Sequence, residues 1–317
     1  MTKLKSSSEG KRLKPRINKA NVKANFELST MALPGFLLLF VFAYLPMIGI
    51  ILAFKDFNPN QGIFESPWNG FDNFKFFFES QDAARVLGNT VFYSVLFIVV
   101  DLVAGVGLAL LFYNLRSRKA LKFYNTVVIL PRFMSAVLVA FIVYLLLSPS
   151  YGLVNQVIVA LGGKKIQWYA KPEYWPWILT ITHVWQTVGM NSIIYYASLM
   201  GLDDNLLEAA ALDGANKWKQ TLHVVIPHLI PVMVITTILA IGSLFSGDFG
   251  LFYQVPKNIG MLYETTDIVN TYVFRALKDG SLARSSAVSL FQSTMGMILI
   301  LITNGIVRKV SPENSLF

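Results

Sequence analysis

Residues 29–54, "STMALPGFLLLFVFAYLPMIGIILAF", contain no charged side chain over 26 positions. About 20 apolar residues are enough for a helix to cross hydrocarbon. No water is present there to satisfy free backbone N–H and C=O groups, so such a run has to be helical. A basic stretch precedes it, as in a secretory signal, but the run is too long and no A-x-A cleavage site follows, so it reads as an uncleaved anchor. Five more spans are predicted at about 89–112, 126–147, 175–200, 224–245 and 286–307. The expected fold class is therefore all-α, a polytopic membrane bundle of six transmembrane helices. Its parts are a basic tail over 1–28, a six-helix domain over 29–310 and a short C-terminal tail over 311–317. Composition agrees, because 54% of residues are hydrophobic and only 14% charged, against roughly 25% charged in soluble domains.

The net charge of +9 does not indicate nucleic acid, because the cations form no basic helix face. They collect in the N-terminal tail, in the turn "NLRSRKALKFYN" with Arg116, Arg118, Lys119 and Lys122, and at Arg308 and Lys309. Threading six spans puts all three groups on one side, and the positive-inside rule places that side, with both termini, in the cytoplasm. The chain has no cysteine, which removes disulfides, thiolate catalysis and Cys-based metal sites. The loops expected outside are rich in Phe, Asn, Tyr and acids, as a carbohydrate-facing surface or an interfacial aromatic belt would be.

Several chemistries lack their residues. No phosphate loop occurs, since "GGKK" at 162–165 has neither the spacing nor the hydroxyl. His183, His223 and His228 form no H-E-x-x-H pair, and there is no G-x-S-x-G elbow. No catalytic residue, metal ligand or cofactor is expected on this chain. Two charges lie within predicted spans, Asp101 in the second and Arg132 near the cytoplasmic end of the third. Asp101 reads as a buried polar residue paired with a neighbouring helix, and Arg132 as a side chain snorkelling to the inner interface.

Between the fourth and fifth spans lies "LLEAAALDGANKWKQTLHVVIPHLIP". Leu207–Leu212 are strong helix formers, Gly214 permits a bend, and Asn216 can cap a second helix that runs to Pro227. Alanines at 209, 210, 211 and 215 let another protein approach the backbone closely, while Glu208 and Asp213 offer carboxylates to a basic partner. An amphipathic helix lying on lipid would instead carry a basic face and large apolar anchors.

Glu208-Ala209-Ala210, Asp213-Gly214-Ala215 and Pro227, at this spacing, resemble the EAA loop of permease subunits of binding-protein-dependent ABC importers, in the carbohydrate branch. The chain departs from the family's pattern at Thr221, where an aromatic residue is frequent. "LPGFLLLFVFAYLPMIGIILAFKDFNP" and "YETTDIVNTYVFRALKDGSLARSSAVSLFQS" are similar to the subgroup importing alginate- and rhamnogalacturonan-type fragments. The resemblance implies a non-catalytic permease in the bacterial cytoplasmic membrane. It would pair with a second, homologous permease as a heterodimer, two ATPase subunits that hold ATP and Mg, and an extracytoplasmic solute-binding protein, to import an oligosaccharide. Glu208, Ala209, Ala210, Asp213, Gly214 and Ala215 would then couple to the ATPases.

A sugar path needs hydroxyl-matching groups and aromatic faces. In the fourth span Gln186, Asn191 and Tyr195 lie near one helical stripe; Asp248 and Tyr253, just beyond the fifth, complete the candidates. A secondary transporter would call for more intramembrane carboxylates or inverted repeats. An enzyme acting on lipid-linked sugar would call for a carboxylate cluster at the membrane surface. Neither accounts for the alanine-rich acidic loop.

Overall fold

The computed structural model describes residues 19–310 and 312, with side-chain surroundings over 27–309 and at 312; of the predicted tails 1–28 and 311–317, residues 1–18, 311 and 313–317 lie outside them. Among these residues the chain is helical, with one isolated bridge between Lys55 and Trp68. It divides into two units, residues 1–50 and 51–317. In the first, α1 (Lys19–Leu39) begins ten residues before the predicted apolar run and continues into a π turn, Phe40–Tyr44. There the Leu45 N–H reaches the Phe40 carbonyl. Pro46 follows at once; the widened turn accommodates a residue that lacks an N–H and crowds the carbonyl four positions back.

The second unit holds α2 (Gln81–Tyr113), α3 (Arg118–Ile129), α4 (Ala136–Leu147), α5 (Trp175–Leu199), α6 (Asp204–Leu212), α7 (Ile226–Gly242), α8 (Phe249–Gln254), α9 (Val269–Lys278) and α10 (Leu282–Val310). Four helical runs are long and apolar enough to span a membrane: 27–54, 81–113, 217–242 and 282–309. A bent pair, 118–133 with 136–147, makes a fifth if it is counted as one span. Helix α5 has the length but carries too many polar residues to pass on composition, so the structure bears out the helical class and gives four or five candidate spans.

The predicted third span is not one helix. Its two halves meet at 101°. Pro131 cannot continue the α-helical ladder; the chain tightens into a 3-10 turn over Leu130–Phe133, becomes extended at Met134, and restarts where Ser135 Oγ accepts from Leu138 N at 3.3 Å. Arg132 consequently sits exposed at the corner, not near the end of a continuous span. Helix α4 alone is about 18 Å long at ~1.5 Å per residue, short of hydrocarbon thickness.

Helices α2 and α5 form the most extensive pair and carry the bundle. Close approaches are made by glycine. A Cβ on Gly189 of α5 would lie 2.2 Å from the Val128 carbonyl oxygen of α3, and one on Gly296 would lie 2.8 Å from that of Gly242. Small residues at such crossings let backbones meet where lipid tails offer no hydrophobic drive.

One end of the bundle is closed by residues 248–281. The Tyr93 hydroxyl donates to Thr265 O at 2.6 Å, Asn89 Nδ2 donates to the carbonyls of Glu264 and Asp267 at 3.0 Å, and Thr90 Oγ1 accepts from Val269 N at 3.0 Å. All three side chains lie on one face of α2. At the centre Asp267, whose side chain is 0% exposed, meets Arg275 at 2.6 Å and Arg85 at 3.2 Å and accepts from Thr271 Oγ1 at 2.8 Å. Burial alone would lower the Arg275 pKa, but the hydrogen bond and charge of Asp267 outweigh it and raise the pKa above its ordinary value. An apolar core of Tyr93, Phe97, Trp175, Leu251, Phe252 and Leu262 packs beneath.

Gly189→Ala is expected to destabilise the bundle by about 1–3 kcal/mol or more, because backbone cannot move aside as a side chain can. Gly107→Ala, with open space around its added methyl, should leave the thermal unfolding of the detergent-solubilised protein unchanged or slightly higher. Asp267→Ala leaves the half-buried Arg275 without its carboxylate, while Arg85 keeps Asp82 at 2.6 Å, and should cost about 3–5 kcal/mol, read as a lower unfolding temperature and faster proteolysis at 248–281.

Candidate functional site

Two features stand out, a cavity between helices and the α6 loop. Every fourth residue on one face of α5 is polar: His183, Thr187, Asn191 and Tyr195. Spacing of four keeps them nearly stacked along the axis. Across from them Asp101 of α2 accepts from Thr187 Oγ1 at 2.8 Å and lies 3.1 Å from His183 Nε2. Phe97, one turn before Asp101, stacks on the His183 imidazole with centroids 3.7 Å apart and planes 7° from parallel. That contact fixes the ring edge toward the carboxylate. Asp101 is thus paired with a neighbouring helix, as its position in a span requires.

The pairing does not bury it. Its side chain is 28% exposed, and it borders an open cavity of about 280 Å³ lined by α2, α5, α7 and residues 243–248. His183, Asn191 and Tyr195 line the cavity from α5, and Thr236 and Thr237 from α7, with Asp248 at residues 243–248. The Tyr195 hydroxyl lies 3.0 Å from Thr236 Oγ1, joining the two walls. Gly105 allows α2 to come this close: its Cβ would stand 3.1 Å from both Asn191 Cβ and the Tyr195 ring. At 280 Å³ the cavity lies near the lower end of small-molecule pockets, ~300–1,000 Å³.

Three of the five residues predicted for a path therefore come together here: Asn191, Tyr195 and Asp248. Gln186 lies outside the lining. Tyr253 is also outside it, packed between Phe249 at 5.0 Å and Phe274 at 4.9 Å. His183, Thr187 and Thr236 were not predicted; stepping back by fours from Asn191 finds the first two. Asp248 has a second task, since its Oδ1 accepts from Leu251 N at 3.0 Å and caps α8.

Helix α6 is capped by Asp203, whose Oδ1 accepts from Asn205 N at 3.0 Å. It ends in a Schellman motif: Ala215 N donates to Ala210 O at 2.9 Å and Gly214 N to Ala211 O at 3.0 Å, with Gly214 at φ +81°. Asn216 Oδ1 then accepts from Lys219 N at 2.9 Å, as its N-cap reading requires, and buried Gln220 donates from Nε2 to Ala215 O at 3.0 Å. The turn is locked from both sides. Glu208, Ala209, Asp213 and Gly214 are exposed, Ala210 and Ala215 partly so. Leu212 and Trp218 stand 89% and 73% exposed beside them.

Pro227 does not restart the chain as expected. Residues 217–242 form one helical run. A π turn over Thr221–Val225, in which Ile226 N reaches Thr221 O, absorbs the proline. The second arm of the loop is therefore the beginning of α7 itself. From the first arm, Leu202 and Leu207 pack with Leu199, Tyr195, Val225 and Leu229 in one apolar cluster, so Tyr195 belongs both to the cavity wall and to the support of the loop.

A helical membrane bundle with a cavity that polar side chains border among apolar ones, and an exposed, rigidly seated loop, has the form of a transport subunit. Residues 102–314 match the model of the binding-protein-dependent transport system inner membrane component family, and the chain belongs to that family. It is 33% identical over 287 residues to the polygalacturonan/rhamnogalacturonan transport system permease protein YteP of Bacillus subtilis (strain 168), covering 90% of this chain and 89% of YteP. Two solved structures superpose closely. One is a bacterial ABC transporter involved in the import of the acidic polysaccharide alginate, with TM-score 0.84, 29% identity, 92% of this chain and 98% of that chain. The other is the bacterial alginate ABC transporter in complex with an alginate pentasaccharide-bound periplasmic protein, with TM-score 0.83, 28% identity, 92% and 97%.

Gly214 has open space around it, so its backbone angle, not crowding, is what demands glycine. Gly214→Val is expected to unseat the loop, and Gly214→Asn, which tolerates left-handed backbone, to retain most activity. Comparing uptake by the two variants at equal membrane abundance checks this.

Proposed function

We propose that this chain forms one half of the translocation path of an ATP-driven importer that takes an oligosaccharide from a solute-binding protein and releases it into the cytoplasm by alternating access. The observation that carries the reading is the shared packing of Tyr195: one side chain faces the cavity and stands on the cluster beneath the loop. A displacement of the loop can therefore reach the cavity wall through packed side chains rather than through a flexible linker. The relatives' substrates, polygalacturonan or rhamnogalacturonan and alginate, support a polysaccharide fragment as cargo.

In this reading α5 is a sixth span. Its polar stripe is tolerated because it faces Asp101 and the cavity rather than lipid. Both termini and the α6 loop lie in the cytoplasm, in keeping with the basic turn at 116–122. A second, homologous permease supplies the facing half of the path, and two ATPase subunits bind ATP and Mg. Glu208 and Asp213 orient the docked ATPase by pairing with its basic residues; Ala209, Ala210 and Ala215 permit close seating; Leu212 and Trp218 supply apolar surface that has no partner within the described chain. The extracytoplasmic solute-binding protein docks at the opposite end, near residues 248–281.

Purification in mild detergent should recover an ATPase and a second permease with this chain. Leu212→Asp changes a side chain with almost no intramolecular burial, so stability should stay within about 0.5 kcal/mol, while ATPase recovery and uptake fall to background. Glu208→Lys should also abolish uptake. Recovery of the wild-type chain alone, even after cross-linking at the loop, would contradict the proposal.

A further inference from the structure

Beside the α6 loop a second cleft, of about 1040 Å³, opens between the end of α2, α3, the end of α5 and α6. Four cations line it, Arg116 from the α2–α3 turn, Arg118 and Lys122 from α3, and Lys217 from the second arm of the loop, against one carboxylate, Asp204. Among the described residues none of the four forms an ion pair. The positive-inside rule accounts for cations on this face, but not for their gathering from separate elements around one hollow, where each repels the others. Arg118 and Lys122 stand one helical turn apart, and Thr126 continues their stripe along the cleft. On the adjoining flank of α3, Phe123 and Val127 are 63% and 51% exposed. We infer that the cleft holds the headgroup of an anionic phospholipid of the inner leaflet, with its phosphate among Arg118, Lys122 and Lys217 and its chains along Phe123 and Val127. The inference takes the cytoplasmic placement of this face from the importer reading above and nothing from the cargo.

The surroundings select a lipid over other anions. The cleft lies where the spanning run 81–113 ends and the run 118–133 begins, the level at which headgroups meet the ends of membrane helices. Leu121, Met200 and Leu207 line it together with the cations, giving apolar surface to the glycerol backbone and upper acyl carbons. A free phosphate or a uronate fragment would engage the cations but has no use for the apolar flank of α3. Arg118 can meet two phosphate oxygens at once with its planar fork, while Lys122 and Lys217 act as point charges. A headgroup held in this way ties α3 to Lys217, where the helical run 217–242 starts, and lies against Leu207 of α6. It therefore braces both arms of the loop against α3, and the lipid forms part of the seat on which an ATPase docks.

The test purifies the full chain, with whatever subunits accompany it, and measures the lipid it retains by mass spectrometry after washing in mild detergent. The sample is then placed in nanodiscs of phosphatidylcholine alone or with phosphatidylglycerol added. The expected result is retained phosphatidylglycerol or cardiolipin, and a higher unfolding temperature in the mixed discs, as binding to the native state requires. Arg118→Gln with Lys122→Gln should lower retention roughly tenfold or more, as removal of two cations from an anionic headgroup implies, and should abolish the stabilisation by phosphatidylglycerol. Lys119→Gln with Lys309→Gln removes the same charge from the same face but outside the cleft, and should leave both readouts as in the wild type. Equal losses in the two double variants would mean diffuse attraction to the membrane surface and would overturn the site. Unchanged lipid with lower ATPase recovery in the first variant would give these cations to the ATPase and overturn the inference. So would a wild type that retains no anionic lipid yet binds oligogalacturonate or inorganic phosphate through Arg118 and Lys122. Lipid is read on this chain whether or not an ATPase accompanies it, so failure of the importer reading and failure of this inference are separate results.

Discussion

A carboxylate in the middle of a membrane helix must be matched or it expels the helix from hydrocarbon. Asp101 is matched by Thr187 and His183 of α5, and much else follows from that match. It sets the register of α2 against α5, the most extensive helix pair, and gives a polar stripe that could not face lipid an interior to face. It also turns the His183–Tyr195 face toward α7, which creates the cavity. Gly105 and Gly189 then allow the approach on either side, one against Tyr195 and Asn191, the other against the backbone of α3.

The cavity and the loop are joined by rigid elements. The helix that enters α7 starts at Lys217, inside the loop, and passes Pro227 through a π turn without a break. Loop residues Leu202 and Leu207 stand on the same cluster as Tyr195. Closely packed interiors shift between discrete arrangements more readily than they deform continuously. In the proposed mechanism a loop seated in this way acts on the cavity wall as one body with it.

Much of this was legible in the residues, for identifiable reasons. Gly214 at a helix end and Asn216 before a helix are local signals, and each produced the expected structure; the long apolar runs gave helices, the third of them broken at Pro131. Asp101 could be read as paired because hydrocarbon allows few alternatives, although its partner could not be named without the rotation of α5. In the sequence His183 is only one of three histidines outside an H-E-x-x-H pair, since its role depends on Asp101, 82 positions away. Pro131 announced the break in the third span, but the apolar run on both sides of it outweighed one breaker. Helical spacing suggests Gln186 for the path and position beyond the fifth span suggests Tyr253, but neither lines the cavity, and Tyr253 packs between Phe249 and Phe274. The long-range half of the ion-pair centre at Asp267 has no local signal, because Arg85 lies 182 residues away.

In the proposed importer the wall bearing Asn191 and Tyr195 lines a path whose access alternates with the state of the loop. Because the chain has no cysteine, Asn191→Cys provides a single thiol, and its labelling by a membrane-impermeant maleimide can be followed from each side of proteoliposomes holding the whole complex. The account predicts labelling from one face without nucleotide, and loss of that labelling with a gain from the opposite face when ATP is trapped on the ATPases. A thiol at 191 that reacts equally in both states, or from neither face in any state, would contradict it.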